Sequence, residues 1–270
     1  DMLREAGIGR AAFGSADVSE ESLRKRSRNP SEKRSRMGAA LVADHYGIVP
    51  EGIIGADSMR KAPLVPGGLA TDLDILRGAV LKSLTNKQVA VVEFGDLERI
   101  EQERINCTAE AYRLARMEAL ERLGKWLTGM RHALPDTPIL LISPVPPLDE
   151  EGRWSRLGFA AMAASGQSQG LLTSNSTRTP GIIAASDIAP TLLHAAGVAA
   201  RGQMGGYRAE GGRARSPVET LRRWDLTVRL KQDVALPVIL GLGILAALSG
   251  TLAIWTIAHR PCNKTRAVFV

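Results

Sequence analysis

The chain has 270 residues, a net charge of +7 and a sequence pI near 9.8, which is room for one sizeable α/β domain plus an attachment. Lys and Arg are spread along the chain rather than gathered with aromatics, and aromatics make up only 4% of it, which argues against a stacking platform for single strands. The densest basic run, Arg24 to Arg36, contains Ser, Asn and Pro and reads as a solvated loop, so no nucleic-acid partner is expected.

Taken in chain order, LREAGIGRAAFG after Asp1 reads as the end of a helix followed by a strand over Ile8 to Phe13. Ser35 to His45 is read as helical, with Met37, Ala40, Leu41 and Asp44 at helical spacing. Leu73 to Leu84 is a second helix, with Thr71 as its expected N-cap and Asp74 completing a near capping box. Gln88 to Phe94 is a mostly apolar run of strand length, broken only by Glu93, the pattern of a parallel strand covered on both faces. Thr108 to Leu134 is a long amphipathic helix ending near Pro135, and Pro138 to Ser143 is a second buried strand. The alternation predicts an α/β fold with an open, mostly parallel sheet and helices on both faces. Strands 88–94 and 138–143 should both be interior, with sites at strand carboxyl ends.

Gly170 to Leu172 is strand-like, and Ser174-Asn175-Ser176-Thr177-Arg178 follows it. These hydroxyls and this cation make Ser174, Ser176, Thr177 and Arg178 a candidate holder of an anionic phosphate or sulfate group, beside the plainer reading of a hydrogen-bonded turn. Next, β-branched Ile182 and Ile183 suggest a strand turning into a short helix. Asp187 suits its N-cap, Pro190 its first turn, and Leu192, Leu193 and Ala196 an apolar face that Gly197 ends.

Arg201 to Pro217 is rich in Gly and Arg without periodicity and reads as a flexible tether or mobile loop. From Val234 to Ala258 there are 25 uncharged residues, enough to cross about 30 Å of hydrocarbon as a helix. Pro237 falls in the first turn of that span and Trp255 near its far end, as an interfacial anchor would. The lipid bilayer is therefore an expected partner. Gly243 with Ala247, and Ala246 with Gly250, are spaced to let another transmembrane helix approach closely. The resulting organisation is a soluble domain over 1–200, a tether and juxtamembrane segment over 201–233, the span over 234–258 and a tail over 259–270. The basic residues before the span lean toward a cytoplasmic N-terminal side. Cys107 and Cys262 fall on opposite sides of the span, so no intrachain disulfide is expected.

The ordered run Asp187-Ile188-Ala189-Pro190-Thr191-Leu192-Leu193, with Gly197 beyond it, resembles the corresponding segment of the alkaline phosphatase superfamily. The nearer resemblance is to membrane-attached bacterial members of that group. It implies an incomplete core of that type, an extracytoplasmic domain at the cell membrane and metals held at two strand ends. It also implies that the first metal-binding Asp and the Ser or Thr nucleophile lie upstream of Asp1, and both ends of the sequence read as cut. Zinc or manganese would suit imidazole and carboxylate ligands. Asp96, just beyond the 88–94 strand, stands where the first such loop carries Asp, and Arg99 beside it is a candidate anion holder. Ile100, however, occupies the approximate His position, and Pro144 and Val145 follow Ser143 where an Asp-His pair is expected. His45, His132 and His194 lack the spacing of a ligand set and read as structural or surface residues.

Three functions fit this reading. One is a membrane-anchored domain with a degraded metal site, serving binding or assembly in the envelope. Another is an active, metal-dependent hydrolase of phosphate or sulfate esters to which Asp96 and Arg178 contribute. The third is the soluble appendage of a multi-span transport or polymer-assembly protein.

Overall fold

The computed structural model describes residues 2–17, 36–86, 88–143, 157–165, 170–200 and 204–259. A short helix α1 (Met2–Glu5) leads into strand β1 (Gly9–Ser15), and helix α2 (Met37–Val42) precedes strand β2 (Glu51–Ile53). Strands β3 (Met59–Lys61) and β4 (Leu69–Thr71) precede helix α3 (Leu73–Leu84), strand β5 (Gln88–Phe94) and helix α4 (Asp96–Gln102). The long helix α5 (Ala109–Ala133) follows, then strands β6 (Ile139–Ser143), β7 (Phe159–Ala163) and β8 (Gly170–Thr173). Helix α6 (Ile188–Ala195), strand β9 (Glu210–Arg213) and helix α7 (Pro217–Ala258) complete the order.

Strands β2, β1 and β5 form a parallel sheet in that order, with Ala11 opposite both Glu51 and Ala90. Alternation along the strands assigns the two faces. Ala11, Phe13, Ala90 and Val92 point to one side, where Leu76 and Val80 of α3 and Met130 of α5 complete the core with Trp126 and Ile139 packed against it. On the other side Arg10 donates to Val42 O of α2 at 3.2 Å, and Gly38 of α2 sits against Val91 and Glu93. Helices therefore cover both faces, as expected. Burying Phe13 and Leu76, both at most 2% exposed, contributes about 1.5–3 kcal/mol apiece.

The expected placement of strands 88–94 and 138–143 needs correcting. Among the described residues, β5 stands at the end of the three-strand order, and β6 pairs only with β7, antiparallel, with Leu141 opposite Ala161. The described sheets are thus one parallel trio and three antiparallel pairs, rather than one mostly parallel sheet. The cause is that an apolar run reports coverage of a strand's two faces. It does not report which strand occupies the hydrogen-bonding edge.

Other local expectations also shift. Helix α3 starts from Asp72, whose side chain accepts from Ile75 N at 3.1 Å, while Thr71 ends β4 and is engaged elsewhere. The first expected helix is confined to Met37–Val42, and Asp44 instead closes a turn by accepting from the N–H groups of Tyr46 and Ile48. Ile182 and Ile183 lie outside any strand. Helix α5 matches its expected bounds, with Thr108 accepting from Ala111 N.

The Gly- and Arg-rich stretch does not run free throughout. Residues 201–203 lie outside the described ones, but Glu210–Arg213 pairs antiparallel with β8, Thr173 opposite Glu210. Backbone pairing needs no side chain, so a Gly-rich composition does not preclude it.

Helix α7 is continuous over 42 residues and contains Pro237 in its interior. Because it begins at Pro217, Pro237 is not in the first turn, contrary to the sequence reading. A Pro within a helix costs an intrahelical hydrogen bond, a defect that membrane helices tolerate. Pro237–Thr256 is wholly exposed with a mean hydropathy of 2.1, long and apolar enough to cross a membrane.

Candidate functional site at the strand ends

Two polar clusters occupy the places singled out by sequence. The first lies beyond the carboxyl ends of β1 and β5. Gly95 turns the chain after β5, so Asp96 and Arg99 fall one turn apart at the start of α4, and both are fully buried. One carboxylate oxygen of Asp96 accepts from the N–H and the hydroxyl of Thr71, each at 2.7 Å, and is paired with Arg99. The other oxygen is paired with Arg122 of α5. Arg99 also donates to Ser15 O at 2.9 Å, to Asp17 O at 3.3 Å and to the Thr71 hydroxyl at 2.8 Å.

Asp96 and Arg99 do come together, but as a lock between the ends of β1, β4 and α4. Three hydrogen bonds, two from Thr71 and one from Arg99, converge on one oxygen of Asp96 and one from Arg122 reaches the other, and the Arg99 guanidinium is turned onto backbone carbonyls, Thr71 and Asp96. Neither is free to meet a metal or an anion without dismantling that network. Ile100, beside them, is 1% exposed and packed in the interior. Pro144 and Val145 lie outside the described residues. Among the described residues no group of three or more His, Cys, Asp or Glu side chains is placed to hold an ion. The donor set at this strand end therefore does not fit the zinc or manganese centre that the resemblance implies.

Beside the lock stand two carboxylates that sequence reasoning passed over. Asp17 is 1% exposed, its carboxylate oxygens accept no hydrogen bond from the described residues, and Arg36 Nε lies 3.8 Å from Oδ2. Glu93, near the end of β5, is half-buried. Burial raises its carboxyl above the usual glutamate range, against the N–H groups of Gly38 and Met37, which favour the charge. The Asp17 charge raises it further, and Arg99 opposes that. A strand-end signal was available for Asp17, which follows β1 by two residues much as Asp96 follows β5. Thr71 and Arg122 carried no such signal, because only the tertiary fold brings β4 and α5 to this point.

The second cluster is built around Asp187. The side chain is fully buried and makes no capping hydrogen bond to α6. Instead Oδ2 accepts from the Ser174 hydroxyl at 2.5 Å and from Ala184 N at 2.8 Å, while Oδ1 accepts from the Ser176 hydroxyl and from Tyr207 N at 2.9 Å. Burial alone would raise the Asp187 carboxyl. The hydrogen bonds from Ser174, Ser176, Tyr207 and Ala184 outweigh it and hold the group below the usual aspartate range. Gly206 has φ +89°, and a Cβ there would fall 2.3 Å from Ser186 O, so the chain closes onto Asp187 only because this residue lacks a side chain.

The Ser174–Arg178 loop is thereby presented in one conformation. Ser174 and Ser176 donate to Asp187, and Thr177 donates to Ile182 O, so these hydroxyls hold the loop together. Arg178 adopts φ 54° and has an exposed side chain. Of the loop's candidate anion holders, Arg178 is the one that the hydrogen bonding leaves facing outward.

The histidines stand apart from both clusters. His45 is exposed and lies against Tyr46 with ring centroids 3.7 Å apart and the rings tilted by 43°. His132 is exposed, and His194 is exposed beside Arg208, whose Nη1 is 3.1 Å from Nε2. Cys107 is a free thiol, and Cys262 lies outside the described residues. In comparisons, no family model, no curated protein and no solved structure matches the chain.

Proposed function

We propose that this chain is a membrane-anchored domain of the alkaline phosphatase type whose strand-end metal chemistry has been displaced, and that it serves binding or assembly in the cell envelope. The observation that carries the reading is the engagement of both oxygens of Asp96. The one carboxylate that sequence places at the ligand position is engaged by Thr71, Arg99 and Arg122. The anchor is α7, whose exposed apolar stretch Pro237–Thr256 suits a lipid bilayer better than water. The contact surface is the hydrogen-bonded 174–178 loop, where an exposed guanidinium can meet a phosphate or sulfate group. An extracytoplasmic domain follows from the resemblance.

The test uses the full chain purified from membranes in detergent. We expect no stoichiometric zinc or manganese and no turnover of aryl phosphate or sulfate. Stoichiometric metal with turnover, both lost in an Asp96→Ala variant that remains folded, would overturn the reading. Deleting 234–258 should move the protein to the soluble fraction without detergent. A second reading, an ester hydrolase that uses Asp17 as its strand-end carboxylate, is favoured by that buried side chain, whose oxygens accept no hydrogen bond from the described residues and meet only the Arg36 guanidinium among them, at 3.8 Å. Turnover that survives Asp96→Asn and is lost in Asp17→Asn would select it.

A further inference from the structure

Helix α7 has two halves with different environments, and the half nearer the domain grips the loop just described. Only Ala214, Arg215 and Ser216 separate β9 from Pro217, the first residue of α7. β9 is hydrogen-bonded along β8, with Thr173 opposite Glu210, and Ser174 opens the loop immediately after β8. One end of the loop is therefore tied to α7 through a two-stranded ribbon and three residues.

The other end is tied to α7 directly. Trp224 Nε1 donates to Pro180 O at 3.1 Å. At the next residue, Gly181 takes φ +86°, and a Cβ there would meet Leu221 Cδ2 at 3.2 Å and Leu171 Cδ2 at 3.4 Å. The α7 side chain thus packs against the bare backbone of the loop, where a Cβ would require Leu221 to give by a few tenths of an ångström. Within the loop, Arg178 N donates to Ser174 O at 3.0 Å, Gly181 N to Leu172 O at 2.9 Å, and Thr177 to Ile182 O.

We propose that α7 is a lever that couples the apolar stretch to the 174–182 loop. From Trp224 to Pro237 the helix rises about 20 Å at ~1.5 Å per residue, so tilt or rotation of the stretch is delivered to the clamp by one continuous element. The clamp itself is one neutral hydrogen bond and one apolar contact, small enough to be released and remade. A coupling of this kind acts in both directions, so ordering the loop biases the helix as strongly as the helix biases the loop. The inference does not depend on what the loop binds or on catalysis.

The test is hydrogen exchange on the full chain in lipid nanodiscs, read on the loop, on the first turns of α7 and on β5 as control. Trp224→Phe keeps a ring in place and removes the indole N–H. The amides of Arg178, Gly181 and Ile182 should then exchange roughly five-fold faster, the change expected for one lost neutral hydrogen bond. Leu221→Ala, which removes the apolar contact from the α7 side, should accelerate the same amides as well. Thr177→Val, which acts from the loop side, should accelerate exchange over residues 221–229. Unchanged loop exchange in both of the first two variants would overturn the proposal, as would equal acceleration in β5. A loop that responds to α7 with no answering change in α7 would overturn it as well.

Discussion

Replacing Asp96 with Ala tests the lock at its centre. Arg99 is fully buried, and its ion-pair partner is Asp96, so the variant leaves a buried guanidinium whose remaining hydrogen-bond acceptors among the described residues, Ser15 O, Asp17 O and the Thr71 hydroxyl, are neutral. Breaking a buried pair from one side costs about 3–5 kcal/mol. The Thr71 N–H, which donates to Asp96 at 2.7 Å, is orphaned as well, at about 1–3 kcal/mol. Arg122 is 27% exposed on its side chain and can turn to solvent, so its loss adds little. These terms share one network and do not add in full, so the expected loss is about 4–6 kcal/mol. That is most of the stability of a domain with roughly 5–15 kcal/mol in hand. Urea denaturation should be followed by near-ultraviolet circular dichroism, because α7 keeps a strong far-ultraviolet helical signal whether or not the domain is folded. Asp96→Ala combined with Arg99→Met should recover part of the loss, since the stranded charge goes with it. A midpoint for Asp96→Ala that corresponds to less than about 1 kcal/mol of lost stability would refute the structural role and return Asp96 to the list of candidate ligands.

Three further outcomes follow from the same geometry. The lowered carboxyl of Asp187 contributes stability that is present above the ordinary aspartate value of 3.8 and is lost as pH falls through the lowered one. Asp187→Asn should flatten that acid limb in a thermal melt series and lower stability at neutral pH by about 1–3 kcal/mol. Glu93 has the opposite sign. Its contribution is complete below the ordinary glutamate value of 4.5 and declines as pH rises through the raised one. Glu93→Gln should therefore gain on the wild type as pH rises, and a widening deficit would count against the assignment. Gly206→Ala, forced into positive φ with its Cβ on Ser186 O, should cost about 1–3 kcal/mol. Loss of the Tyr207 amide bond to Asp187 should show as faster exchange at that amide.

Much of the local structure was legible before any coordinates. The apolar period of Leu73–Leu84, the capped run from Thr108 to Pro135 and the uncharged stretch from Val234 are signals carried by neighbouring residues; the first two became helices at or close to the expected bounds, while the third became the last part of a helix that starts at Pro217. Gly197 likewise ends α6 as read, with φ +75° and its N–H donating to His194 O. The misreadings share a cause. Thr71 and Asp187 are both capping types at plausible N-cap positions, and in each case a distant partner claimed the side chain. Asp96 lies 25 residues from Thr71, and Tyr207 lies 20 residues from Asp187.

The amino-acid order by itself therefore determined the alternating α/β class, the position of the long apolar helix and the two loops where polar chemistry gathers. These depend on hydrophobic period, capping and turn chemistry over a few residues at a time. Tertiary structure alone decided the use of those residues. It engaged Asp96 and Arg99 in a buried lock, spent the hydroxyls of Ser174, Ser176 and Thr177 on the loop's own conformation, and brought Trp224 onto Pro180. Each outcome depends on burial and on donors supplied from elements far apart in the chain, and a carboxylate's chemistry is set by whichever donors reach its lone pairs first.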